Sequence, residues 1–428
     1  MLFFHSRRPY AVAFIAAVLS MPVWAAEPLS LAEAQALAVA RSQLLAANNA
    51  SITASREMAA AAGQLPDPIL KFGVENLPLS GSNRLSLSRD FMTMRRIGLS
   101  QELPRAQKRQ LRAERVEREA DRTRAEKKLN VANIMRDTAI AWIERYYTDE
   151  MRHLVLRQIR ETELQVQTAQ SGYGTGRNSQ ADVFAARATL VMLEDRLSEI
   201  DRQARNAELT LARWIGPDAN RTFATTPPPW QTSWLDGVAL EAHLQHHPDL
   251  ILLRARLEAA LTEARLAEAN KNADWSVEAT YSQRGSAYSD MVSFGVSVPL
   301  QWDQKSRQDR EVAAKLALVD EARARYEEML RQYDAELRNL LNDWRTGKRR
   351  VARYLDELVP LATHRSDAAL TAYRTGKGDL AATLLARRDE VDTRMQALAV
   401  EMDTARAWAR QNFIIPEYVP GTLTQEQP

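Results

Sequence analysis

Apolar residues recur along most of this chain at every third or fourth position, and in four short stretches at every second. The first period belongs to helices with one buried stripe, the second to strands with one apolar face. Leu29 to Ala62 is alanine-rich without internal Pro or Gly, which predicts one continuous helix ending at Gly63 before the breaker Leu65-Pro-Asp-Pro68. From Ile69 the period is two: Leu70, Phe72 and Val74 point one way, Lys71 and Glu75 the other. A Pro-, Gly-, Ser- and Asn-rich loop from Asn76 follows, and a second strand returns through Ile97, Leu99 and Gln101 to Pro104.

No Gly or Pro then occurs until Gly172. A helix of that length runs roughly 100 Å at about 1.5 Å per residue and must be packed along its side. Ile140, Ile143, Tyr147, Met151 and Leu154 step by threes and fours, as in a coiled-coil seam. Tyr173-Gly-Thr-Gly-Arg177 turns the chain, with Gly176 as pivot and Ser179 available as the next cap, and Ala181 to Trp214 returns antiparallel.

After a connector carrying Pro217 and Pro227-Pro-Pro-Trp230, the order repeats. Leu250 to Ala269 is helical. Trp275, Val277, Ala279 and Tyr281 alternate with polar residues, as do Val292, Phe294, Val296 and Val298. A long helix from about Ser306 to Ala372, with a kink expected at Pro360, reaches the turn Tyr373-Arg-Thr-Gly-Lys377, and Leu380 to Gln411 returns. Ile97-Gly-Leu-Ser100 matches Phe294-Gly-Val-Ser297, Gln107-Lys108 matches Gln304-Lys305, and the turns share Tyr, Thr (Thr175, Thr375) and Gly (Gly176, Gly376) at a nearly constant offset. Duplication explains this. The expected layout is a first repeat over 26–216 (strand hairpin about 68–103, helical hairpin about 105–214), a Pro-rich connector over 217–239, a second repeat over 240–411 (about 275–299 and 303–411), and an irregular tail over 412–428.

Residues 1–25 change the picture of where this chain works. Arg7 and Arg8, an apolar run from Tyr10 to Val23 and the small residues of Val23-Trp-Ala25 form a secretory signal peptide. Its removal takes away two arginines and no acid, leaving 55 basic against 55 acidic residues. A neutral chain is not a general nucleic-acid binder. The absence of cysteine excludes disulfides, thiolate metal sites, thiol nucleophiles and N-terminal lipidation through Cys. Export without disulfides fits a Gram-negative periplasm or outer membrane.

Each strand is close to the roughly nine to eleven residues that a tilted strand needs to cross a bilayer. Four strands cannot close around a lumen, and an open edge in lipid leaves backbone groups unsatisfied, so several chains would have to share one barrel. The plainer reading is two soluble hairpins capping a helical bundle. Phe91, Trp275, Tyr288 and Trp302 could form interfacial girdles, and Met92, Met94 and Met291 could cluster near the barrel. His243, His246 and His247 share a spacing that could present imidazoles on one face of a short helix to a metal ion, or simply form polar surface. No nucleophile, acid–base pair, cofactor motif or phosphate loop stands out, so neither an enzyme nor a cofactor is expected.

Two copies of helix, strand hairpin, long helix, Tyr-x-Thr-Gly turn and returning helix, behind a signal peptide and with Pro104 and Pro299 closing the hairpins, resemble the TolC family of outer-membrane efflux channels over essentially the whole mature chain. Leu65-Pro-Asp-Pro68, Glu75-Asn-Leu-Pro78, Met92-Thr-Met-Arg-Arg96, Ser100-Gln-Glu-Leu-Pro104 and Lys108-Arg109 are similar to the branch serving heavy-metal cation efflux (CzcC-like and CusC-like). The resemblance implies a mainly α fold with a membrane β-barrel. Long antiparallel coiled-coil helices would form a periplasmic α-barrel, and four strands per chain would join a twelve-stranded barrel shared by a homotrimer. It also implies a passive duct in the outer membrane, docked through its turns (Tyr173, Thr175, Gly176, Arg177, Thr375, Gly376) to a periplasmic adaptor and an inner-membrane pump of the resistance-nodulation-division type.

The family closes its periplasmic tip with carboxylates and partner Tyr and Arg residues. By that resemblance Asp182 stands at the gate-carboxylate position and Tyr373 at the gate tyrosine. This chain departs from the pattern at Gly378, which replaces an arginine, and at Ala382 and Leu385, which replace an acidic ring; a relocated latch of Asp182, Tyr373 and Lys377, with Asp379 nearby, is expected. Asp182 and Asp379 could instead simply cap their helices. General multidrug efflux or type I secretion is the alternative cargo role; a periplasmic adaptor or coiled-coil scaffold is the alternative class. An adaptor would carry one helical hairpin in a mostly β chain, and a scaffold would not need strands of membrane length.

Overall fold

The computed structural model describes residues 28–176, 178–223, 226–237 and 243–414. The expected signal peptide, Arg177 and nearly all of the tail lie outside the described residues.

The alanine-rich opening forms two helices rather than the one expected, α1 (Leu31–Arg41) and α2 (Gln43–Ala62). Ser42 between them is extended, and its Oγ accepts from the Leu45 amide at 3.4 Å, capping α2 as Ser30 caps α1 through Glu33. Serine competes for backbone partners as readily as it continues a helix, so the break needs neither Pro nor Gly.

Four strands follow the period-two stretches: β1 (Ile69–Glu75), β2 (Met94–Leu103), β3 (Trp275–Gln283) and β4 (Met291–Ser297). They make one antiparallel sheet in the order β1-β2-β3-β4. Its middle seam, β2 to β3, joins the two repeats, pairing Ile97 with Tyr281 and Leu99 with Ala279. The register puts Leu70, Phe72, Val74, Ile97, Leu99, Tyr281, Phe294 and Val296 on one face. Phe72 and Phe294 are 84% and 83% exposed, so that face has no cover among the described residues.

Beyond β2 runs α3 (Ala106–Gly174), an unbroken helix of 69 residues and about 100 Å. It is the spine of the molecule. α1, α2 and the returning α4 (Gln180–Ile215) lie along it, as do α5 (Pro248–Ala269) and α8 (Leu380–Asn412) from the second repeat. The second long arm is α6 (Gln308–Arg353), a π turn (Tyr354–Leu358) and α7 (Val359–Arg374). The interruption expected at Pro360 is thus taken up in the turn before it. Proline lacks an N–H and its ring crowds the carbonyl four residues back, that of Asp356, and a wider π turn relieves both problems without ending the helix.

The largest core lies where the arms meet the connector. Trp142, Trp344, Tyr147, Met135, Leu211, Leu250 and Leu337 are fully buried there. Buried indoles also tie the backbone together. Trp344 Nε1 donates to the Trp230 carbonyl at 2.7 Å, Trp408 Nε1 to that of Thr232 at 2.9 Å and Trp142 Nε1 to that of Leu29 at 3.2 Å, while Trp230 Nε1 reaches Tyr147 Oη at 3.0 Å. The connector is pinned across both arms because each buried N–H must find an acceptor.

Candidate functional site

At the far end of the arms both turns close in the same way. Gly176 and Gly376 have φ of 75° and 73°, the left-handed conformation that glycine adopts without strain. Thr175 Oγ1 donates to the carbonyls of Ser171 and Gly172, and Thr375 Oγ1 to those of Thr371 and Ala372, at 3.0–3.3 Å. The repeated Tyr-x-Thr-Gly spelling therefore has a local cause: each threonine hydroxyl folds back onto the last carbonyls of its helix, adding to the backbone amides that already bond Gly172, Thr371 and Ala372.

The next helices start differently. Ser179 and Asp182 form a reciprocal capping box on α4: the Asp182 amide donates to Ser179 Oγ, and the Ser179 amide to Asp182 Oδ2 at 2.8 Å. On α8, Asp379 alone accepts from the Ala382 amide at 2.6 Å. Both carboxylates thus cap their own helices. Tyr373 Oη donates to Asn178 Oδ1 at 3.1 Å, so within the chain the expected trio of Asp182, Tyr373 and Lys377 is not assembled. Lys377 and Tyr173 are exposed. Asn178 carried no recognisable signal in the sequence, because its partner lies 195 positions away. Under this contact Val166, Ala169, Val183, Ala186, Leu380 and Leu384 pack the two tips together.

A second group reasoning from sequence missed lies nearer the core. Glu390, 5% exposed, receives Arg394 at 3.0 Å and Arg387 at 2.8 Å; Arg387 also reaches Glu161 of α3 at 2.5 Å, and Thr363 of α7 donates to Glu390 at 3.2 Å. Burial would raise the Glu390 pKa, but hydrogen bonds from Arg394 and Arg387 outweigh it and hold the carboxyl below its usual range. Only the spacing Arg387, Glu390, Arg394 hinted at this node, and such spacing also marks ordinary helix surfaces. A cleft of about 530 Å³ opens beside it between α3, α4 and α8.

The histidines do not converge. His247 is 4% exposed and caps α5, its Nδ1 accepting from the Asp249 amide at 3.2 Å, with its ring 4.0 Å from that of Tyr333. Burial pushes its pKa down to about 4. His243 packs on Trp234, and His246 is exposed beside Gln245. Among the described residues no group of three or more His, Asp and Glu could hold a metal ion.

At the opposite end of the molecule the sheet has two unlike faces. Against the apolar face stands a polar one with Lys71, Glu75, Arg96, Ser100, Glu278 and Thr280. Exposed Phe91 and Tyr288 lie at the loop end of the strands, and Trp275 and Trp302 at the helix end. Among the described residues no helix is long and apolar enough to cross a membrane, which says nothing of a β-barrel.

No family model and no curated protein matches the chain. Solved structures do. The outer-membrane channel OprN superposes with a TM-score of 0.74 at 17% identity, over 97% of this chain and 98% of that one. The Campylobacter jejuni CmeC outer membrane channel gives 0.74 at 13% identity, over 99% and 95%. The chain has the outer-membrane channel fold. CusC, whose structures describe folding and transmembrane channel formation, gives 0.73 at 13% identity, over 90% and 91%. These values lie so close together that the channel fold alone does not distinguish a heavy-metal branch from the others.

Proposed function

We propose that this chain is the outer-membrane component of a tripartite efflux system, a passive duct through which an inner-membrane pump of the resistance-nodulation-division type expels its cargo. The observation that carries the reading is the sheet: a strand meander whose exposed face is apolar at its middle, whose two edges are unpaired among the described residues, and which sits on helical arms of about 100 Å. Such a sheet has a use in lipid only if copies complete it into a closed barrel, and three chains supply twelve strands. The aromatic residues at both strand ends suit the two membrane interfaces. Likeness to OprN, CmeC and CusC supports the same reading.

In this role residues 1–25 are the export leader. The tips, with Tyr173, Thr175, Gly176, Arg177, Thr375 and Gly376, are the surface that meets a periplasmic adaptor. Asp182, Tyr373, Lys377 and Asp379 stand at the closing end, where Asp182 would act between subunits in addition to capping its helix. Heavy-metal cations are the proposed cargo, on the strength of the hairpin motifs from Leu65 to Arg109.

Outer-membrane fractionation and heat-modifiable migration test the assembly: an outer-membrane trimer is expected, and a monomer in the soluble periplasm would overturn the reading. For the gate, Asp182→Ala and Tyr373→Phe channels in planar bilayers should pass more closed-state current than wild type; unchanged current would remove these residues from the latch. For the cargo, deletion in the host should sensitise cells to metal cations more than to drugs.

A further inference from the structure

The middle of the polar sheet face pairs each long charged residue with a glycine across the ladder. Lys71 stands opposite Gly98, Arg96 opposite Gly73, and Glu278 opposite Gly295. Lys71 belongs to β1 and Glu278 to β3, with β2 between them, a span of roughly 10 Å at ordinary strand spacing. Even so, Lys71 Nζ lies 2.7 Å from Glu278 Oε2. Gly98, opposite Lys71 on the strand between them, puts no side chain in that span, and a Cβ added there would sit 2.8 Å from Thr280 Oγ1. Thr280 Oγ1 in turn donates to Glu278 at 3.2 Å, and beside this pair Arg96 bridges to Glu75. Two cations and two anions thus lie flat on one face, around a depression of about 320 Å³ that includes Gly73 and Gly98.

We infer that Lys71 and Glu278 are charge-setting residues of the barrel lumen: they cancel each other there, so that at their level the wall of the duct gains no preference for cations or anions from either. The inference rests on the channel reading, which makes the apolar face the lipid side and therefore the polar face the lumen. Threefold assembly amplifies the effect. Losing one partner leaves not a single bare charge but a ring of three, and rings of like charge in a pore select by sign.

The test is the reversal potential of purified channels in planar bilayers under a KCl gradient. Lys71→Gln, which bares Glu278, should raise the cation-to-anion permeability ratio by about twofold or more, and Glu278→Gln, which bares Lys71, should lower it by a similar factor. The double variant Lys71→Gln/Glu278→Gln should return to the wild-type ratio whatever selectivity the tip imposes, and trimer migration confirms that each variant is assembled. Assembled single variants with the wild-type ratio, or a double variant that fails to return to it, would overturn the inference while leaving the channel intact. A protein that passes no current even when the latch is opened by Asp182→Ala and Tyr373→Phe, and that does not migrate as a trimer, would overturn the channel reading and the inference with it.

Discussion

Tyr373, in the second hairpin, donates its hydroxyl to Oδ1 of Asn178 in the first, and this hydrogen bond of 3.1 Å ties the two tips across 195 positions of sequence. Removing either member should cost about 1 kcal/mol locally. Because both substitutions break the same bond, Tyr373→Phe and Asn178→Ala together should cost little more than either alone. Hydrogen exchange of the turn amides measures this; additive losses would show that the two side chains act separately.

Gly172 and Gly174, two residues apart in the first turn, should respond oppositely to alanine. A Cβ on Gly172 would meet Asn178 Nδ2 at 2.6 Å, whereas one on Gly174 meets nothing within 4 Å. Gly172→Ala should therefore destabilise by about 1–3 kcal/mol and loosen the Tyr373 contact, while Gly174→Ala should stabilise by about 0.5–1 kcal/mol through the unfolded chain. Denaturant midpoints of the two variants, compared in one detergent, decide the matter.

His247 predicts a pH dependence. Its folded pKa of about 4 lies below the usual value near 6.5, so the unfolded chain binds the proton more readily. Stability should fall as pH drops from about 6.5 to about 4 and level off below that, with a contribution on the order of 3 kcal/mol. His247→Asn can still cap α5 but does not titrate in this range, and should flatten that part of the curve. Titration with zinc or copper should give equal heats for wild type and for His243→Ala/His246→Ala, since the imidazoles are held on separate partners.

Trp344 holds the connector. It is 1% exposed, and its Nε1 reaches the Trp230 carbonyl. Trp344→Ala should cost about 3–5 kcal/mol. Trp344→Phe should retain much of the packing yet leave that carbonyl short of a donor, and proteolysis within 226–237 should rise for both variants.

The long-range plan was legible in the sequence wherever one period ran for many residues. The strands around Phe72 and Phe294 and the helix beyond Pro104 follow directly from it, because burial of a stripe or a face leaves a repeating trace. What could not be read depends on single partners brought together by folding. Ser42 breaks a helix although serine is tolerated inside one. Asn178 matters only because Tyr373 comes to it. Glu390 is a buried node, yet its arginine neighbours are spaced like those on any solvated helix. The three histidines share a spacing, but His247 turns inward to cap α5 and stack on Tyr333, while His243 packs on Trp234. As for the acids after the turns, the geometry within one chain makes both of them caps.

The two arms, almost equal in length, are unequal as mechanical parts. The first is continuous from Ala106 to Gly174, with every turn of its hydrogen-bond ladder alike. The second has one oversized turn at Tyr354–Leu358, between its tip and the indole anchor at Trp344. If torque is applied at the tips, the first arm offers no interruption along its length, whereas in the second any bend or twist between tip and anchor should collect at Tyr354–Leu358, where the ladder changes pitch.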